Sequence, residues 1–151
     1  MIEVYFDGAC EPVNPGGHAA YGLVIFRDGL MIHEDSKLFV PLKGREKKTS
    51  NNVAEYSGSL AALAWLLAQG LNDEEIVFYG DSMLVINQMF GRWAIHTGFY
   101  KSLAIKAKKL LKKFPKAHGQ WIPREKNSRA DELSRRQLIN AGVTFRIQPQ
   151  L

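Results

Sequence analysis

The sequence predicts an α/β domain built on a five-stranded mixed sheet flanked by helices, and three observations carry that prediction. Three strand signals in a row open the chain. At Val53 the apolar period then changes from two residues to a helical one, and the later strand signals are separated by helical segments. Strands joined by short turns pair antiparallel and strands joined through helices run parallel, so strands one to three form an antiparallel section of a mixed sheet. At 151 residues the chain has the size of a single domain that buries its core without metals or disulfides.

In order along the chain, "MIEVYFDGAC" alternates Ile2, Val4 and Phe6 on one face, so a strand is expected over residues 2 to 7, running out at the Asp7-Gly8 turn dipeptide. "AAYGLVIFRDGLMIHEDSKLFV" reads as two more strands joined through Arg27-Asp28-Gly29. From Val53 to Gln69, the stripe Val53, Tyr56, Leu60, Leu63 and Leu67 predicts a helix, and the extra alanines and leucines bury it on several sides; Gly70 ends it. "EIVFYGD" is a short apolar strand and "SMLVINQMF" a short helix stopped by Gly91. "GRWAIHTG" reads as a loop. Tyr100, Leu103, Ala104, Ala107, Leu111 and Phe114 are spaced for an amphipathic helix that Pro115 terminates. "AHGQWIP" is a last strand and "SRADELSRRQLINAG" a last helix. The tail from Gly142 to Leu151 alternates Val143, Phe145 and Ile147, which would strap across the sheet as a stabilising element. The order is β-β-β-α-β-α-α-β-α, one domain over residues 1–151.

Charge is informative through its placement. Net charge is +5, yet seven of the 20 basic residues (Lys101, Lys106, Lys108, Lys109, Lys112, Lys113 and Lys116) fall between residues 101 and 116 with no acid, leaving 13 against 15 acids elsewhere. A localised basic surface suits a polyanion, although a solvated helix face has the same composition. Composition excludes disorder and fibrous classes, no stretch approaches a membrane span, and the lone Cys10 forms no internal disulfide. Cytoplasm and a monomer are the default expectations.

Four acids stand at element boundaries: Asp7 ends the first strand, Glu55 opens the long helix, Asp81 follows the fourth strand and Asp131 opens the last helix. Each has an ordinary reading. Asn52 with Glu55, and Ser128 with Asp131, resemble capping boxes, and Asp81 suits a helix cap. Taken together they read differently, because ligands of open α/β sheets sit beyond the carboxyl ends of strands, where Asp7 and Asp81 emerge. Four carboxylates meeting there repel one another unless divalent cations neutralise them, and hard oxygen donors suit Mg²⁺ or Mn²⁺.

The stretches "DGAC" around Asp7, "TSNNVAEY" around Glu55, "YGDS" around Asp81 and "NSRADELS" around Asp131, in that order, resemble the type 1 ribonuclease H family over nearly the whole chain. The resemblance implies an RNase H fold and an endoribonuclease that cuts the RNA strand of RNA/DNA hybrids, leaving 5′-phosphate and 3′-hydroxyl ends. It implies that Asp7, Glu55, Asp81 and Asp131 are catalytic and bind two Mg²⁺ ions with substrate present, Asp7 bridging them, with Mn²⁺ as the alternative metal. It places recognition of the RNA 2′-hydroxyl on main-chain groups of Gly8, Ala9 and Cys10 and on Asn51 and Asn52. Asn14, Lys48 and Ser50 take the DNA-strand phosphate by similarity of position.

The chain also departs from the family. Many members carry a histidine in a longer loop before the last acidic helix, whereas "WIPREKNSRAD" has none, so Arg124 is assigned the phosphate-facing role and His118 a structural one. Met83 stands where some members have a polar groove-reading side chain, and the basic insertion of some relatives is reduced to "GRWAIHTGFYKS". Two rival readings share the fold: a nuclease whose main substrate is double-stranded RNA, and a catalytically silent nucleic-acid-binding module.

Overall fold

The structure, a computed structural model, describes residues 1–146. Three ten-residue strands come first: β1 (Ile2–Glu11), β2 (His18–Arg27) and β3 (Leu30–Phe39). Helix α1 (Asn51–Ala68), strand β4 (Ile76–Gly80), helices α2 (Met83–Met89) and α3 (Lys101–Leu111), strand β5 (Ala117–Trp121) and helix α4 (Ser128–Asn140) follow. The element order is the expected one, with two single 3₁₀ turns added at Glu46–Lys48 and Arg124–Lys126. The sheet order is β3-β2-β1-β4-β5. β1 pairs antiparallel with β2 and β2 with β3, while β4 runs parallel to both β1 and β5, which makes the sheet mixed as predicted.

The β2–β3 hairpin turns on Asp28 and Gly29, both at positive φ (51° and 82°), the mirror-image turn whose twist matches that of the strands. β1 is longer than the apolar alternation predicts. Asp7-Gly8 resembles a turn, yet the ladder with β2 continues through Gly8↔Tyr21 to Glu11↔His18. Gly8 is there for a different reason: a Cβ on it would lie 2.6 Å from the Glu55 backbone nitrogen, so only glycine lets the start of α1 lie against β1. Gly22 does the same on the opposite face of the sheet, where a Cβ would overlap the Ala130 carbonyl oxygen of α4.

One main core lies between the sheet and α1, α2 and α3, and includes Val4, Phe6, Leu23, Ile25, Leu63, Leu66, Phe78 and Ile86. The most buried line of α1 runs Tyr56, Ser59, Ala62/Leu63 and Leu66, rotated from the predicted stripe, because Val53, Leu60 and Leu67 flank the contact. The Tyr56 hydroxyl donates to Gln88 Oε1 at 2.7 Å, and Gln88 Nε2 donates to the Ala94 carbonyl at 3.0 Å. That buried relay ties the loop carrying the half-exposed Trp93 to α1 and α2. In α3, Ala104 and Ala107 face the core and the helix's lysines are exposed.

On the other face, α4 covers β1, β2 and β3. Beside it Phe145 packs with Ala20 and Leu138, and Val143 lies against the same cluster, so these two residues form the expected strap; Ile147 lies outside the described residues. Among the described residues, no helix is long and apolar enough to cross a membrane.

Candidate active site

The helix starts decide what the four acids are free to do. α1 is capped by Ser50, whose hydroxyl accepts from the Val53 N–H at 3.1 Å, and α2 by Ser82, which accepts from the Val85 N–H at 3.2 Å. Neither Glu55 nor Asp81 is used as a cap. Asn52, expected at the cap, sits inside the first turn, because Ser50 already occupies that position. At α4 the preceding residue is Asn127, whose side chain makes no cap; its Nδ2 donates instead to the Phe6 carbonyl at 2.9 Å. The contact fastens the start of α4 to the residue before Asp7. The capping-box readings of Asn52/Glu55 and Ser128/Asp131 are therefore both corrected.

These restraints deliver the acids to one place. Carboxylate oxygens of Asp7, Glu55 and Asp81 all lie within 4.8 Å of one another. Asp7 is 4% exposed and Glu55 1%. Asp131 lines the same cleft, of about 370 Å³, but its carboxylate is held by arginines: Arg135 Nε lies 3.1 Å from one oxygen and Arg124 Nη2 3.6 Å from the other. The Arg135 contact is an ion pair without hydrogen-bond alignment, since its Nε–H is left unpartnered.

The electrostatics follow from crowding. Burial holds the Asp7 carboxyl well above the usual range, and the charges of Glu55 and Asp81 add to it. Glu55 is pushed up to about 8, first by burial and then by Asp81. Asp81 is raised too, mainly by burial. Glu55 Oε2 is buried with no hydrogen-bond partner among the described residues. Three converging carboxylates, one with a buried unpartnered oxygen, are the donor set a hard divalent cation fits, because its charge offsets the repulsion and it accepts the unused lone pairs.

Of the other predicted residues, Gly8, Ala9, Cys10, Asn14, Asn51 and Arg124 line the cleft, whereas Lys48, Ser50 and Asn52 do not. Asn14 Oδ1 accepts from the Asn51 N–H at 3.0 Å, holding the start of α1 beside the β1–β2 loop, and Asn51 Oδ1 is buried without a partner. Ser50 is committed to its cap. Lys48 lies in a separate hollow with Phe99, Lys101 and Ile105. Arg124 is mostly exposed, its side chain at 72%. His118 is an exposed residue of β5. Three residues were not singled out by the sequence reading: Arg135, Glu11 and Arg146. Arg135 carried a signal, standing four residues after Asp131 on a helix. Glu11 and Arg146, both on the cleft wall, carried none, because their pairing spans 135 positions.

Residues 6–137 match the family model described as reverse transcriptase-like. The chain is 32% identical over 121 residues to a bifunctional protein of Mycobacterium tuberculosis, covering 80% of this chain but only 31% of that protein. It is 33% identical over 140 residues to ribonuclease HI of Halobacterium salinarum, covering 93% of this chain and 65% of that one. Among solved structures, LC11-RNase H1 in complex with an RNA/DNA hybrid superposes with a TM-score of 0.81 at 34% identity, covering 93% of this chain and 99% of that one.

Proposed function

Because the chain belongs to the reverse transcriptase-like family and, within it, to the type 1 ribonucleases H, we propose that it is an endoribonuclease that cuts the RNA strand of RNA/DNA hybrids. One observation carries the reading: Asp7, Glu55 and Asp81 bring their oxygens within 4.8 Å of one another on the wall of an open cleft. A structural role would favour pairing or hydrogen-bonding such buried acids, and here one oxygen has no partner.

In this reading Asp7, Glu55, Asp81 and Asp131 would hold two Mg²⁺ ions, or Mn²⁺ in their place. Bound there, the ions would supply an activated water and charge neutralisation at the leaving 3′ oxygen. The remaining work belongs to the chain. The end of β1 is rigid because it is laddered to β2, and its Gly8, Ala9 and Cys10 main chain presents hydrogen-bonding groups to the RNA 2′-hydroxyl, the group that distinguishes RNA from DNA. Asn51, with an unpartnered buried oxygen on the cleft wall, accepts from the same hydroxyl or its neighbour. Asn52 lies outside the cleft lining and meets the substrate only at its edge. Arg124, on the cleft wall beside Asp131, takes the phosphate-facing role in place of the loop histidine of many relatives. Lys48, on the wall of the hollow of Phe99 and Lys101, faces the DNA strand while Ser50 stays with its cap, and the α3 lysines add sequence-independent attraction to the duplex. All of these groups come from one chain, so a monomer suffices.

The test is cleavage of one labelled RNA strand paired to DNA or to RNA, with Mg²⁺, Mn²⁺ or a chelator. Cutting of the hybrid that needs the metal and leaves 5′-phosphate ends is expected. Preferential cutting of the RNA duplex moves the substrate to double-stranded RNA, and no cutting with either metal leaves the silent binding module.

A further inference from the structure

Phe145 and Val143 explain the tail as a strap, but the neighbouring Arg146 does more than a strap requires. Its Nε donates to Glu11 Oε2 at 2.9 Å, its Nη2 to the Cys10 carbonyl at 2.8 Å, and its backbone N–H to Glu11 Oε2 at 3.3 Å. These contacts fix the guanidinium plane against the last residues of β1. A guanidinium carries five N–H donors in a planar fork, and both hydrogens of Nη1 have no partner among the described residues. The side chain is 53% exposed and lines the same cleft as the four acids.

That cleft is strongly acidic, so a phosphodiester backbone entering it meets repulsion except where a cation stands on the wall. Arg124 is one such cation, turned partly toward Asp131. Arg146 is the other, with its inner edge bound to β1 and its outer donors unused. Such a rigid fork matches two phosphate oxygens at little cost in side-chain freedom. Cys10 lies three residues beyond Asp7, roughly 10 Å at ~3.3 Å per residue of strand. Arg146 therefore stays clear of the reacting atoms and faces a neighbouring phosphate of the backbone rather than the one being cut.

Building on the ribonuclease reading above, we infer that Arg146 is a substrate-positioning residue: it binds a backbone phosphate of the RNA strand that neighbours the cut, beside the main chain that reads the 2′-hydroxyl. The C-terminal strap thus carries a piece of the substrate interface.

The experiment measures cleavage of a labelled hybrid across a range of salt concentrations for wild type, Arg146→Gln, Arg146→Lys and Glu11→Gln, with the melting temperature of each. Arg146→Gln should raise KM several-fold while kcat stays within about twofold. Its plot of log KM against log salt should lose about 0.7–0.9 of slope, the signature of one phosphate contact. Arg146→Lys should recover that slope even where its melting temperature falls. Glu11→Gln keeps the arginine and removes its counter-charge, so its slope should equal or exceed that of wild type. If Arg146→Gln lowers only the melting temperature, or if Glu11→Gln loses slope as Arg146→Gln does, Arg146 is an anchor of the tail alone and the inference falls. Should Arg146→Gln not fold, the Glu11→Gln and Arg146→Lys slopes decide by the same criteria. Failure of wild type itself to cut the hybrid would instead overturn the ribonuclease reading.

Discussion

Replacing Glu55 with glutamine should stabilise the metal-free protein, and by an amount that depends on pH. Glu55 is buried with one oxygen unpartnered, and its carboxyl is pushed up from 4.5 to about 8. A carboxyl raised in the folded state keeps its proton where the unfolded chain has released it. Between pH 4.5 and about 8 the native state therefore binds more protons than the unfolded state, and stability declines as pH rises through that window. At about 1.4 kcal/mol per pH unit the full penalty is on the order of 5 kcal/mol, reached above the folded value. Glutamine keeps the shape without the charge. In chelator near pH 9, Glu55→Gln should be about 2–5 kcal/mol more stable than wild type, which is roughly 5–15 °C in melting temperature for a chain of this size. Near pH 4 both side chains are neutral and the two proteins should melt together. Added Mg²⁺ should reverse the order, because it stabilises by binding wild type. Thermal melts by circular dichroism over pH, with and without Mg²⁺, read all of this. A difference that is the same at pH 4 and 9, or a variant less stable than wild type at high pH in chelator, refutes the argument that buried repulsion defines the site.

Three further substitutions probe the scaffold. Asp7→Asn should leave no detectable cleavage of the labelled hybrid while the melting temperature in chelator stays level or rises, since it removes a buried charge from the same cluster. Gly22→Ala would drive a methyl group into the Ala130 carbonyl and the Leu133 side chain, so it should cost about 1–3 kcal/mol by chemical denaturation. Because the displaced helix carries Asp131, kcat should fall by more than the lost folded fraction explains. Ser50→Ala removes the α1 cap and should cost about 1 kcal/mol with KM for the hybrid nearly unchanged; a large rise in KM would return Ser50 to the phosphate contact predicted for it.

Much of this molecule is legible in its sequence, and what is not has physical causes. Strand alternation and helical periods are local, so the element order could be read directly. The sequence alone ends β1 early because Asp7-Gly8 has the composition of a turn, whereas pairing with β2 and the close approach of α1 keep the strand extended. The caps were misplaced because several polar residues cluster at each helix start, and which one caps depends on the backbone: Ser50 takes the place expected of Asn52. The four acids were legible as a group. Their inequality was not, since only the fold shows Asp7, Glu55 and Asp81 gathered together and Asp131 held between Arg124 and Arg135. Arg146 lay beyond reach because the path of the tail across the sheet depends on where Phe145 finds its pocket beside Ala20.

The proposed function rests on Asp7, Glu55, Asp81 and Asp131 seating a pair of divalent cations against the RNA strand. Anomalous diffraction from Mn²⁺ in crystals of Asp131→Asn bound to an RNA/DNA hybrid tests it most directly. Manganese is expected at coordinating distance from Asp7, with the second ion about 4 Å away when both sites fill. Manganese found only on outlying surface carboxylates, with the hybrid in place and the cleft empty of metal, would contradict it.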